Sequence, residues 1–207
     1  MTTPTTSTPA APAAPAAPEA PTTRERLIGA MIHTLQHTGL HGAGLSDILA
    51  KAQAPKGVLY HHFPGGKNEL AVAAIDSTVS YMCAMLDKLM QSEPDARSAM
   101  KAWIARALRG LDGSGFERGC PLAAVALEST AADVALRQAL AEGFAAIRAR
   151  ITAALVAGGH GQARAQGFAA LTVAAYEGGL LQARVAHDAT PMLQATETLL
   201  SLLDAEF

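Results

Sequence analysis

Residues 44–70 read GLSDILAKAQAPKGVLYHHFPGGKNEL, and this stretch decides the fold. Leu45, Ile48, Leu49 and Ala52 recur at helical spacing, and Gln53-Ala54 interrupts them. Pro55 suits the first turn of a second helix that should end near His62, and Pro64-Gly65-Gly66 breaks the chain before a new start near Lys67 or Asn68. A short helix, a tight turn and a second short helix with polar and basic side chains form a helix-turn-helix, whose second helix enters the major groove of DNA. Ile48, Leu49, Leu59 and Phe63 sit at core spacing, which leaves Lys56, Gly57, Val58, Tyr60 and His61 on the outer face. Lys56 can reach a guanine edge or a phosphate, Val58 a thymine methyl and Tyr60 a phosphate, while Gly57 lets the backbone come close. Lys67 combines its charge with the free N–H groups of a helix start, a good phosphate grip. Thr23, at the start of the first helix, joins this candidate DNA-contacting set.

Charge supports the placement. The whole chain carries a formal −2, which looks unpromising for a nucleic-acid protein until it is divided. Residues 22–67 hold Arg24, Arg26, Lys51, Lys56 and Lys67 against Glu25 and Asp47, a net +3, whereas residues 68–207 carry −4. Phosphates respond to the local field rather than to the total. Half of the residues are hydrophobic but aromatics are only 4%, so helices must pack closely through small side chains. The two cysteines, Cys83 and Cys120, read as inert thiols of a reduced compartment. The N-terminus resembles no signal peptide, and no run of about 18 uninterrupted apolar residues is present. A soluble cytoplasmic protein is expected.

Three regions follow. Residues 1–21, MTTPTTSTPAAPAAPAAPEAP, can bury little and should form a disordered tail leaning to polyproline II. Residues 22–67 form the helix-turn-helix domain, with Thr22 or Thr23 capping a first helix that ends at Thr38-Gly39. Residues 68–207 should form an all-α ligand-binding and dimerisation domain. A helix runs from Lys67 or Asn68 towards Met90, long enough to lie in both domains. Further helices are expected at 95–111, 121 to about 130, 133–157, about 162–187 and 190–205, with no sheet.

The stretch resembles the DNA-binding domain of the TetR family of bacterial repressors, through Ile48, Lys56-Gly57, Leu59-Tyr60-His61-His62-Phe63, Lys67 and Leu70. PKGVLYHHFPGGK is similar to the LmrA/YxaF-type branch, and GCPLAAVALE at 119–128 and AAYEGGLLQARV at 174–185 look like that branch's C-terminal domain. The resemblance implies a homodimer that binds a palindromic operator and is released by a small, mostly apolar effector. Two positions depart from the pattern. Gln53 stands where the turn usually carries Gly, and Gly44 stands where a hydroxyl would commonly cap the second helix.

In an Ala-rich bundle the scarce large side chains are candidate cavity walls: Met82, Met85, Trp103, Phe116, Phe144 and Tyr176, with Cys120 beside them. Plain core packing is the competing reading at each. The last two helices should form the dimer interface through Phe168, Leu171, Ala175 and Gly179, then Leu193, Thr196, Leu200 and Leu203. No cofactor is expected. His33, His37, His41, His61 and His62 lack the spacing and companion ligands of a metal site. The Gly-rich runs follow no strand, so they are turns rather than phosphate loops. Cys120, before Pro121, could act as a redox sensor or a plain thiol. Two rival functions remain: a ligand-independent DNA-binding dimer, and a small helical enzyme, for which Glu128, Glu142, Glu177 and His187 form no recognisable catalytic set.

Overall fold

The computed structural model describes residues 20–204. Among them it contains nine helices and no strand. These are α1 (Thr23–Thr38), α2 (Leu45–Ala52), α3 (Lys56–His62), α4 (Gly66–Ser92), α5 (Ala96–Asp112), α6 (Pro121–Glu128), α7 (Val134–Ala157), α8 (Gln162–Ala186) and α9 (Thr190–Asp204). The expected helices are all present, displaced by one or two residues at their ends, where caps and fraying decide. The expected tail lies almost wholly outside the described residues.

Local chemistry sets the boundaries. Thr22 is the cap of α1: its Oγ1 accepts from the Glu25 N–H, and the Glu25 carboxylate accepts from the Thr22 N–H at 2.7 Å. This reciprocal box satisfies two orphan donors and holds the Glu25 carboxyl below its ordinary range. Gly39, at φ 72°, ends α1, in the left-handed region that glycine enters without steric cost. Gly44 gives α2 no side-chain cap. Gln53 takes φ 51°, ψ 45°, a left-handed turn that costs a non-glycine residue on the order of 1 kcal/mol. A clamp helps hold it: Arg26 Nε donates to the Ala52 carbonyl at 3.1 Å. Beneath, Leu27, Met31, Ile48, Leu59, Phe63 and Leu70 are at most 1% exposed and knit α1–α3 to the start of α4.

The long helix α4 packs on α1 near its start and on α5 and α7 further along. By length and mean hydropathy it could cross a membrane; here Ala71, Ala74, Ile75 and Leu86 spend that apolar character inside the bundle. Small residues bring the helices close. A Cβ on Gly143 of α7 would lie 2.5 Å from Val79 Cγ2 of α4, and one on Gly179 of α8 would lie 3.1 Å from Met192 Cγ of α9. Helices α7, α8 and α9 close the bundle around a core containing Ile147, Ile151, Ala169 and Leu199.

Candidate nucleic-acid interface and ligand cavity

Helix α3 presents one uninterrupted outer face. Lys56, Gly57, Tyr60 and His61 are exposed and Val58 is half-buried, while Leu59 is fully buried. The surface expected to meet DNA is therefore free of core duty. Tyr60 lies beside Gly66: a Cβ there would be 3.5 Å from the ring, and Gly66 itself has φ 68°. Lys67 is half-buried in the first turn of α4, next to the Gly65 N–H that donates to Glu69 Oε2 at 2.6 Å. Thr23, half-buried at the first position of α1, accepts from Arg26 Nη2 at 3.0 Å, which occupies part of its hydroxyl. Arg24, exposed in the first turn of α1, stands over the Phe63 ring at 5.2 Å.

A cavity of about 410 Å³ lies between α4, α5 and α8, closed by the end of α1 and the α5–α6 loop. Met82, Met85, Trp103, Cys120 and Tyr176 line it as expected. Trp103 and Tyr176 stack at 4.4 Å with 13° between their planes. Phe116 and Phe144 are outside its wall. Phe116 sits in the loop at φ 64°, 5.9 Å from His187, and Phe144 packs half-buried on α7 against the core.

The wall also contains residues that sequence reasoning passed over: Gln36, Tyr81, Arg106, Arg109 and Arg118. Arg106 donates to Tyr81 Oη through Nε (3.1 Å) and Nη2 (2.7 Å). Arg118 donates to Gln36 Oε1 through Nε (3.2 Å) and Nη2 (3.0 Å). A signal was available, because Trp103, Arg106, Ala107 and Gly110 fall on one i, i+3, i+4, i+7 face of α5.

Behind the cavity lies a polar pair, Cys120 buried and Glu177 half-buried with one carboxylate oxygen fully covered. Glu177 of α8 is pushed up to about 7 by burial, against a bond from the Cys120 thiol that pulls the other way. Its Oε2 is buried without a hydrogen-bond partner among the described residues. Burial, and then the Glu177 charge, push the Cys120 thiol well above its ordinary range. Cys120 stands at the N-cap position of α6 without a side-chain capping bond, and desolvation there outweighs the pull of the helix terminus, which favours the protonated thiol.

The two regions are strapped together. The Gly119 N–H donates to the Gln36 carbonyl at 2.7 Å, and Arg184 Nη2 to the His37 carbonyl at 3.4 Å. Glu128 accepts from the His41 backbone N–H and pairs with His41 Nδ1 at 2.9 Å. His33 and His37 stack on each other at 4.1 Å. Among the described residues no group of three His, Cys, Asp or Glu is placed to hold a metal ion.

The residues expected at a dimer interface divide. Phe168, Gly179, Thr196, Leu200 and Leu203 are buried within the protomer, Leu200 at 3% exposure, because they pack α8 against α9 and the interior. Ala175 is half-buried, and Leu171 and Leu193 are exposed. With them Leu181 and Val185, also exposed, complete an apolar strip on α8.

The chain is similar to known proteins along most of its length. Residues 27–74 match the family described as "Bacterial regulatory proteins, tetR family". Residues 96–198 match "Transcriptional regulator LmrA/YxaF-like, C-terminal domain". The HTH-type transcriptional regulator LmrA of Bacillus subtilis is 28% identical over 181 residues, 87% of this chain and 96% of that protein. An uncharacterized HTH-type transcriptional regulator of Mycobacterium tuberculosis, Rv0196, is 32% identical over 190 residues, 88% and 95% of the two chains. Among solved structures, a TetR regulator from Legionella pneumophila superposes with a TM-score of 0.78 at 20% identity, covering 88% of this chain and 98% of that one. The reduced form of Escherichia coli NemR superposes at 0.72 with 26% identity, covering 86% and 94%. These relatives are regulators and not enzymes, which removes the enzymatic reading. The chain belongs to the TetR family of bacterial transcriptional regulators, with an LmrA/YxaF-type C-terminal domain.

Proposed function

We propose that this regulator is a cytoplasmic repressor that grips a palindromic operator as a homodimer and lets go when a small organic molecule fills the cavity beside α4. In this reading residues 22–67 are the DNA reader, with Thr23, Lys56, Gly57, Val58, Tyr60, His61 and Lys67 as its contacts. Residues 68–207 sense the ligand and dimerise. The observation that carries it is the placement of α4: Lys67 stands at its first turn beside the recognition helix, and Met82 and Met85 of the same helix line the cavity. A helix moves as a unit, so displacing its far end moves its near end. In a dimer the two recognition helices must match one DNA turn, roughly 34–36 Å, and a few kcal/mol in favour of a mismatched spacing empties the operator. The exposed strip Leu171, Leu181, Val185 with Leu193 is the proposed meeting surface. The cavity favours this reading over a ligand-independent dimer, since a half-open cleft of about 410 Å³ with Met82, Trp103 and Leu180 at its base offers a ligand space that DNA binding alone does not use.

Selection of bound fragments from the organism's genome, followed by footprinting of the purified protein, tests the proposal. A protected two-fold site bound by a dimer supports it. Uniform binding to all fragments, with no protected site, overturns it.

A further inference from the structure

The cavity holds three guanidinium groups and no carboxylate. Arg106, Arg109 and Arg118 line it, and no Asp or Glu does. Arg106 and Arg118 spend two donors each on neutral oxygens, the Tyr81 phenol and the Gln36 amide, which fixes their direction without cancelling their charge. Arg109 makes no ion pair among the described residues. Glu177, the nearby half-buried acid, opens on a neighbouring void with Cys120 between and not on this one. The rest of the wall carries no charge: Met82, Trp103, Leu111, Cys120 and Leu180 are buried, Gln36, Thr78, Tyr81 and Tyr176 add neutral polar groups, and the three arginines are exposed at the rim. An apolar floor under a ring of fixed, unneutralised cations is complementary to one kind of molecule. At about 410 Å³ the space is within the range of roughly 300–1,000 Å³ that accommodates drug-sized ligands.

We infer that the effector is an amphipathic organic anion, an aromatic or otherwise apolar body bearing a carboxylate, sulfonate or similar acid, with the body on the Met82–Trp103 floor and the acid at Arg106, Arg109 and Arg118. This sharpens the proposed function, on which its regulatory meaning rests, by adding an acid to the mostly apolar effector that the sequence led us to expect. Arginine's planar fork matches an oxyanion in two-point fashion.

The test uses two fluorescent probes with the same ring system, the anion 8-anilino-1-naphthalenesulfonate and the neutral N-phenyl-1-naphthylamine, titrated into the full chain without DNA. The sulfonate should bind at least tenfold more tightly than the amine. Arg109→Gln and Arg106→Gln should each weaken the sulfonate three- to tenfold while leaving the amine within twofold, and Arg137→Gln, on the exposed face of α7, should change neither. Equal affinity for the two probes overturns the inference, as does an Arg137→Gln loss as large as that of Arg109→Gln, since the preference would then be general surface charge. Loss of operator binding is measured separately, so failure of the repressor reading leaves this result standing, and failure here leaves the operator result standing.

Discussion

Replacing Glu177 with Gln isolates the cost of a charge that only the Cys120 thiol answers. In the folded chain burial raises this carboxyl from its ordinary 4.5 to about 7. In the unfolded chain it ionises at its ordinary value. Below about pH 4.5 both states hold the proton and nothing is lost. As pH rises from there to 7, the folded state keeps a proton that the unfolded state has released, so stability falls across that window and levels off above it. At about 1.4 kcal/mol per pH unit the whole fall is roughly 3 kcal/mol. Gln cannot ionise, so Glu177→Gln should remove this fall: its stability relative to the parent should rise between pH 5 and pH 8 by about 2–3 kcal/mol. Urea unfolding at pH 5, 6, 7 and 8, at fixed protomer concentration because assembly adds its own stability, reads the difference. Cys120 and Tyr176, which feel the Glu177 charge, are pushed well above this window, and the remaining titrations are shared by the two proteins and cancel. Parallel stability curves would refute the reasoning, and would mean that Glu177 finds water or a cation when it ionises.

Three further outcomes follow from the same geometry. Lys67→Ala should weaken binding to all DNA sequences and reduce the slope of log affinity against log salt by about one per half-site, whereas an unchanged slope removes Lys67 from the phosphate contacts. Leu181→Glu, at an exposed position on α8, should leave the protomer folded by circular dichroism but monomeric by sedimentation, because an unpaired carboxylate in an apolar seam costs several kcal/mol; a stable dimer would place the interface elsewhere. Gly143→Ala forces a methyl to 2.5 Å from Val79 Cγ2, so it should destabilise the bundle by about 1–3 kcal/mol in thermal unfolding, and an unshifted midpoint would show that α4 and α7 part without strain.

The helix-turn-helix was legible because its signals are local: helical spacing in Leu45–Ala52, Pro55 at one helix start and Pro64-Gly65-Gly66 at the next break. Even the departure at Gln53 could be anticipated, and the left-handed backbone found there is the conformation its place in the turn demands. Cavity walls built from Met and aromatic residues were legible for a different reason, since large side chains are rare in this chain. Phe116 and Phe144 escaped the pattern because scarcity says nothing about direction. The arginines were missed because a lone Arg is by default a solvated one; the face that Arg106 shares with Trp103 hinted at the first, and only the fold brings residue 118, in the α5–α6 loop, to the same cavity as residues 106 and 109. On α8 the periodicity is weak, with Ala and Gly on several sides, so spacing alone could not tell the inward Phe168 and Gly179 from the outward Leu181 and Val185.

The strap between Gly119 and Gln36 has a kinematic consequence. The DNA-reading unit is joined to the rest of the protomer covalently through α4 and non-covalently through the end of α1. These supports, with the His37–Arg184 and His41–Glu128 links beside the second, lie on one side of the unit's far helices α2 and α3, so the motion they oppose least is a pivot about the line through them. Gln36 and Arg118 are themselves part of the cavity wall, as are Met82 and Met85 on the other support. On the proposed function, a molecule entering there would press on both supports at once, and its work would reach α3 as a swing rather than as a slide along the DNA.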